Sequence, residues 1–292
     1  MLSSDLVSKF SKYMFLGKQK KFISEQDVYM AASLAQAEIL RDLKVLQDKT
    51  TIVFPALTEQ CVRQSRTVST ITGTTTVIVT TVETHGYQTG EEVIIQGALG
   101  ITGVNGRWTI TVTGLKTFTL NSAVGTGAYT TGGTIYPIIN GAIDLIAGRQ
   151  TSPNDIPMTK VDYDQVNQDR DEFGTSSSND AVFRMYQLET DPITIGVQGV
   201  PMSPVKIEMR FFRVPLPNED ISDTVNPIIP DKYRRVMELG TLCYIYEDVD
   251  DIEGIQLSEK QRTIFDREKQ RVLGSVAKSR IRTNSQPTRL KW

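Results

Sequence analysis

The sequence predicts an α+β protein: a helical core of N-terminal helices and a C-terminal helical hairpin, packed with an antiparallel β domain, and an inserted small all-β module. Three observations lead there. Apolar residues recur at three- and four-residue steps near both ends of the chain, as one face of a helix requires. A Thr- and Gly-rich island interrupts the N-terminal part, and short apolar runs separated by prolines follow it.

The helices are read from period and caps. Leu6, Phe10, Met14 and Phe15 suggest a short amphipathic helix over 6–16 that ends near Gly17. From Ser24 to Leu46, Val28, Ala31, Ala35, Ile39, Leu43 and Leu46 share a face, which places a helix over 24–48; Ser24 is its N-cap, with Asp27 as the acidic member of a capping box. After Pro230 the period returns in Tyr233, Met237, Gly240, Cys243 and Tyr244, for a helix over 231–248. A second, over 258–280, carries Ile264, Phe265, Val272 and Val276, and the acidic stretch Glu247 to Glu253 joins the two into a hairpin.

The island Thr67 to Tyr136 holds 20 threonines and 12 glycines among 70 residues, with only Glu83, Glu91, Glu92, Arg107 and Lys116 charged. Thr and Val favour pleated surfaces and Gly breaks runs into turns, so Val77–Val82, Glu92–Ile95, Trp108–Val112 and Thr117–Leu120 are expected strands. Beyond it, Ala142–Ile146, Met158–Val166, Val182–Leu188, Ile193–Val197 and Val205–Arg213 are expected to be strands of a β domain over 137–217, with 169–180 a polar loop. The organisation that follows is a core of 1–66 with 137–292, an insertion at 67–136, and an extended C-terminal arm at 279–292.

Composition narrows function. A 39% hydrophobic and 23% charged balance is that of a folded chain, and no apolar run reaches the roughly 20 residues of a bilayer span. Met1 to Lys12 lacks the charged-then-apolar order of a secretory signal, which predicts a protein made and kept in a cytosol. A net charge of -2 argues against a surface devoted to gripping nucleic acid. The two cysteines, Cys61 and Cys243, stand far apart with no ligand or redox partner beside either, and are expected to be reduced and buried.

Catalytic devices are scarce. The chain has one histidine, His85, read as a turn residue in His85-Gly86-Tyr87. HExxH, CxxC and GxxxxGK[ST] motifs do not occur, and Gly125-Thr126-Gly127 is read as a strand-connecting turn. Asp248, Asp250 and Glu259 fall at positions one, three and twelve of a calcium hand, but Ile252 and Glu253 stand where a ligand and the sharp-turn glycine belong. Asp162 and Asp164 would face the same way on a strand, with nothing to place them across a cleft. No enzyme activity, cofactor or metal is expected.

One pattern in the island is specific: Thr84-His85-Gly86-Tyr87, Thr89-Gly90-Glu91, Val93 to Gly97, Asn105-Gly106-Arg107-Trp108-Thr109-Ile110, Phe118-Thr119-Leu120 and Gly132-Gly133. It resembles small β modules of bacteriophage tail and neck proteins that are related to a β domain of ubiquitin-activating enzymes. The stretch Ile207-Glu208-Met209-Arg210-Phe211-Phe212-Arg213-Val214-Pro215-Leu216-Pro217, followed by Asn226 to Tyr233, is similar to the head-to-tail adaptor (connector) family of tailed bacteriophages. That resemblance implies a structural virion protein of the neck. It would form a homo-oligomeric ring, usually twelve copies, that binds the portal, meets a tail tube or nozzle protein, and lets double-stranded DNA pass during genome ejection. The alternative is another tail component, such as a baseplate or fibre-attachment protein. The resemblance makes the C-terminal segment a portal-binding arm, with Arg280, Arg282, Arg289, Leu290, Lys291 and Trp292 as its contacts; a flexible basic arm with an aromatic end suits an acidic partner.

Overall fold

The computed structural model describes residues 2–11, 13–16, 19–152, 155–173, 184–188, 194–198, 201–216, 219–247 and 252–284. In chain order these form α1 (Ser3–Phe10), β1 (Tyr13–Leu16), β2 (Gln19–Phe22), α2 (Glu25–Leu43), β3 (Gln47–Phe54), β4 (Gln60–Val62), β5 (Arg66–Thr72), β6 (Val77–Thr81), β7 (Glu92–Thr102), β8 (Gly106–Val112), β9 (Thr117–Leu120) and β10 (Thr126–Pro137). There follow β11 (Ala142–Ser152), β12 (Ile156–Lys160), α3 (Tyr163–Phe173), β13 (Arg184–Leu188), β14 (Thr194–Val197), β15 (Val205–Arg213), α4 (Arg234–Glu247) and α5 (Ile252–Asn284). Two compact units divide the chain: 1–46 with 214–292, and 47–213.

The expected fold class is corrected. The protein is mostly β, built on a closed six-stranded barrel and a curled seven-stranded sheet, and not a helical core carrying a small β insertion. Strands written in Gln, Asp, Lys and Thr, such as β3, show no apolar run to the eye, although Thr50, Ile52 and Phe54 alternate inward. Barrel closure is a long-range pairing that local pattern does not reveal.

The barrel runs β10-β5-β6-β9-β8-β7, with β7 returning to β10, and every pairing is antiparallel. Closure leaves no free strand edge. Its interior is filled by Val68, Val79, Val93, Ile95, Ile110, Phe118 and Ile135 among others, so it is a packed core and not a channel. Where β7 crosses β10 the register shifts between Gly127 and Thr131. A Cβ at Gly127 would meet the carbonyl oxygen of Gly100 at 2.5 Å, and one at Gly100 would meet that of Ala128 at 2.3 Å. Both glycines have positive φ, so only a residue without a side chain lets the strands approach there.

The second sheet has the order β3-β15-β11-β12-β13-β14-β4. Its outer strands β3 and β4 are neighbours in sequence, joined by Pro55 to Glu59. Five residues reach at most about 20 Å, whereas seven strands laid flat would hold the edges about 29 Å apart. The sheet must therefore curl. The sheet buries Ile207, Met209 and Phe211 of β15, which share one face, and Met185, Tyr186, Ile195 and Val197 of β13 and β14.

Two expectations of local structure are corrected. Met158–Val166 is not one strand: β12 ends at Lys160 and α3 begins at Tyr163, so Asp164 sits in a helix's first turn and the two acids share no strand face. Of the α3 side chains that the structure describes, 163–168, Val166 is the fully buried apolar one, too little to register as a period. The expected helix over 6–16 stops at Phe10, and Tyr13–Leu16 pairs with Gln19–Phe22 as a hairpin instead.

In the helical unit, Ser24 accepts the Asp27 N–H at 3.2 Å while Asp27 accepts the Ser24 N–H at 2.9 Å, fixing the start of α2. The helix stops at Lys44, in the left-handed region, and α5 continues to Asn284, beyond the residue 280 expected from sequence. Ala35, Gly240 and Phe265 meet where α2, α4 and α5 pack. Buried Gln36 donates to the Glu219 carbonyl and accepts from the Ile228 N–H at 2.8 Å, holding the 219–228 segment on α2. No helix among the described residues is long and apolar enough to cross a membrane.

Candidate functional site

The polar centre of the 47–213 unit lies at the barrel's base, where the segment before β7 meets β3 and the residue after β4. Arg63 and Glu91 are both buried there, at 6% and 4% exposure. Nη2 donates to Oε1 at 2.6 Å and Nε to Oε2 at 2.8 Å, a two-pronged pairing. Glu91 also accepts the N–H of Val53 at 3.1 Å and of Gln88 at 3.2 Å. Arg63 in turn donates to the carbonyls of Val53 and Val62. Each partner is therefore paired and further hydrogen-bonded to backbone, the condition under which buried charge is tolerated.

Beside this brace, Arg107 donates to Asp48 at 3.0 Å and to Glu92 at 2.8 Å, and Arg213 reaches Asp48 at 2.9 Å. Tyr87 is buried and donates its hydroxyl to the Gln64 carbonyl at 2.7 Å. Its ring stacks on His85, centroids 5.3 Å apart, and the His85 ring meets the Phe118 ring edge-on at 5.5 Å. A small pocket touches this region, lined by Thr50, Ile52, Arg63, Tyr87 and Glu91, with room for about 10 Å³, no more than one water.

Neither cysteine is set up as a nucleophile. Both are free and buried, and burial pushes the Cys61 thiol up to about 12 and the Cys243 thiol up to about 11. A thiol that high is essentially un-ionised near neutral pH. Among the described residues, no group of three His, Cys, Asp or Glu side chains is placed to hold a metal. Asp248 and Asp250 lie outside the described residues, and Glu259 is exposed on α5.

Of the residues expected to form a portal-binding arm, Arg280 and Arg282 fall on the last turns of α5, and Arg289, Leu290, Lys291 and Trp292 lie outside the described residues. The Arg63–Glu91 brace escaped sequence reading because its members are 28 positions apart in unremarkable contexts.

Residues 74–138 match the family described as the ubiquitin-activating enzyme E1 FCCH domain. No curated protein matches the chain. The match begins within the hairpin after β5 and ends just past β10, so it covers five of the six barrel strands, β6 to β10, and leaves β5 and the rest of the chain unassigned.

This overturns the recognition drawn from sequence. The expected likeness of the island to a β domain of ubiquitin-activating enzymes agrees with the match, whereas the recognition of a bacteriophage adaptor does not: over residues 74–138 the features His85-Gly86-Tyr87 and Asn105 to Ile110 point to a ubiquitin-activation-related fold. Neither a portal-docking virion ring for genome passage nor a baseplate or fibre-attachment protein has support in the match, and with them falls the assignment to a bacteriophage virion. The physical reason is that the residues carrying the resemblance specify turns and a barrel interior, which say nothing about the assembly that holds the barrel.

Proposed function

We propose that this chain is a non-catalytic binding protein in which the barrel Arg66–Pro137 docks a protein partner and the curled sheet is its rigid mount. The observation that carries the reading is the distribution of charge on the barrel. Glu91 is buried, Glu92 and Arg107 pair with each other, and Lys116 donates to the Val82 carbonyl. Apart from the exposed Glu83 and Lys116, what the barrel turns outward is mainly Thr, Gly and apolar side chains, with Val82, Leu99, Leu115 and Val124 more than half exposed. The buried centres of protein interfaces are depleted in charge in this way. The matched family takes its name from enzymes that act on ubiquitin, itself a protein, which fits a barrel that meets protein surfaces.

The remaining parts support a mount. The interior is filled, the ionic groups at the base brace strands, and the thiols are sealed. Self-association, and a second contact from the basic residues Arg280, Arg282, Arg289 and Lys291 to an acidic partner, belong to the same proposal.

The test is cross-linking in native extract with the full chain and with a Leu99→Lys, Leu115→Lys, Val124→Lys variant. The variant should melt as the parent does and lose the parent's protein cross-links. An unchanged cross-link pattern would overturn the docking role. An ATP-dependent, thiol-reducible adduct on Cys61 or Cys243 would overturn the non-catalytic reading.

A further inference from the structure

His85 is the one histidine in the chain and is only 3% exposed. Its Nε2 lies 3.0 Å from the Gly114 carbonyl oxygen, an atom that only accepts, so Nε2 carries the ring proton. Its Nδ1 lies 3.0 Å from the Tyr87 nitrogen, whose N–H donates to it. Both ring nitrogens are thus committed in a single neutral tautomer, with the ring faces against Tyr87 and Phe118.

We propose that His85 is an acid-release latch: protonation of its ring in mild acid detaches the 83–91 segment from the barrel wall and so unlocks the Arg63–Glu91 brace that this segment carries. The step is proton uptake from water at Nδ1, with no other bond made. A proton there points at the Tyr87 N–H, donor against donor at hydrogen-bond distance, and one contact must break. His85 sits six residues before Glu91 with Tyr87 between, so the displacement acts on the backbone that positions the carboxylate.

The surroundings do not rescue the charged ring. From its own segment it faces Tyr87 and Glu91, with Glu83 exposed two residues away. From β5 comes Arg66, whose guanidinium donates to the Thr84 carbonyl, and from the β8–β9 turn comes Lys116. Arg66 opposes protonation, and the buried carboxylate Glu91, whose charge favours it, already gives both oxygens to Arg63 and to two backbone N–H groups. Burial holds the His85 pKa below its ordinary value, with hydrogen bonds to the Gly114 and Thr117 backbone and the Glu91 charge pulling the other way without overcoming it. The unfolded chain then binds more protons than the folded one, so this stability is complete above the unfolded value of about 6.5 and declines as the pH falls through the folded one. The inference does not depend on what the barrel binds.

With one histidine, imidazole NMR of the full chain gives a single set of ring signals. The expected result is the Nε2–H tautomer, a titration midpoint below about 6.5, and loss of Tyr87 amide protection over the same range. His85→Gln offers a donor to Gly114 and an acceptor to Tyr87 without titrating. In urea unfolding at pH 7.5 and pH 5, the wild-type folding constant should fall relative to this variant by about tenfold for each unit of pKa depression. A midpoint at or above about 6.5, an Nδ1–H tautomer, or an equal ratio at both pH values would overturn the proposal. Should the Gln variant not fold, the wild-type titration and the Tyr87 exchange decide.

Discussion

Arg63 and Glu91 show how much a single side chain can hold at a strand junction. Replacing Arg63 with Met leaves a buried carboxylate whose remaining partners are two backbone N–H groups. Urea unfolding should register a loss of about 3–5 kcal/mol, and the double variant Arg63→Met, Glu91→Leu should recover much of it, because the uncompensated charge is gone. A result in which the double variant is as unstable as the single one would show that shape, not charge, is what the junction needs. A second test of packing lies in the curled sheet, where Gly196 pairs with Tyr186 across β13 and β14. A Cβ at Gly196 would come within 2.1–2.5 Å of the Tyr186 ring and hydroxyl. Both residues are fully buried, so Gly196→Ala must push the ring aside, with an expected cost of about 1–3 kcal/mol by thermal or urea unfolding.

At the scale of elements, α2, α4 and α5 are tied by a charge cluster centred on Glu38. It accepts from Arg262 at 2.8 Å, from the Tyr244 hydroxyl at 2.7 Å and from Lys269, which also reaches Asp42 at 2.8 Å and Asp266 at 3.1 Å. Burial works against the Glu38 charge, but the hydrogen bonds from Lys269 and Tyr244 outweigh it and hold the carboxyl below its ordinary value. A depressed carboxylate stabilises the folded state above its unfolded pKa, near 4.5, and that contribution is lost as the pH falls through the folded value. Lys269→Met should therefore cost about 1–3 kcal/mol at neutral pH and progressively less below pH ~4, followed by helical circular dichroism. Helices of this kind were legible: Ser24 and Asp27 announce the cap, and Val28 to Leu43 the buried face. Strand β15 was legible too, since Val205 to Arg213 alternates strictly. Strands β3, β5 and β10 were not, because Thr, Gln and Gly keep their inward positions from forming a visible apolar series. His85-Gly86-Tyr87 has the pattern of a turn, which carries no sign that Gly114 and Phe118 close on the His85 ring. The brace was invisible for a related reason, its two halves meeting only once the barrel is mounted.

At the scale of the molecule, the two compact units keep separate cores: the helical unit has one built on α2, α4 and α5, and the 47–213 unit contains the core of the barrel. Units with their own cores can unfold independently. Calorimetry should then show Arg63→Met lowering one transition and Lys269→Met lowering the other. A single endotherm that both substitutions shift equally would argue that the units melt as one. The division also sets how far family likeness extends, since the E1 FCCH match stays within the barrel. Arg66, where the barrel's first strand begins, is the ladder partner of Ile135 near the end of its last. The doorway of this segment is thus one rung wide, about 5 Å, and a host chain could acquire or shed such a cassette without stretching to span it. Ancestry in a protein assembled that way is inherited piecewise, and the lineage of one piece need not be the lineage of its carrier.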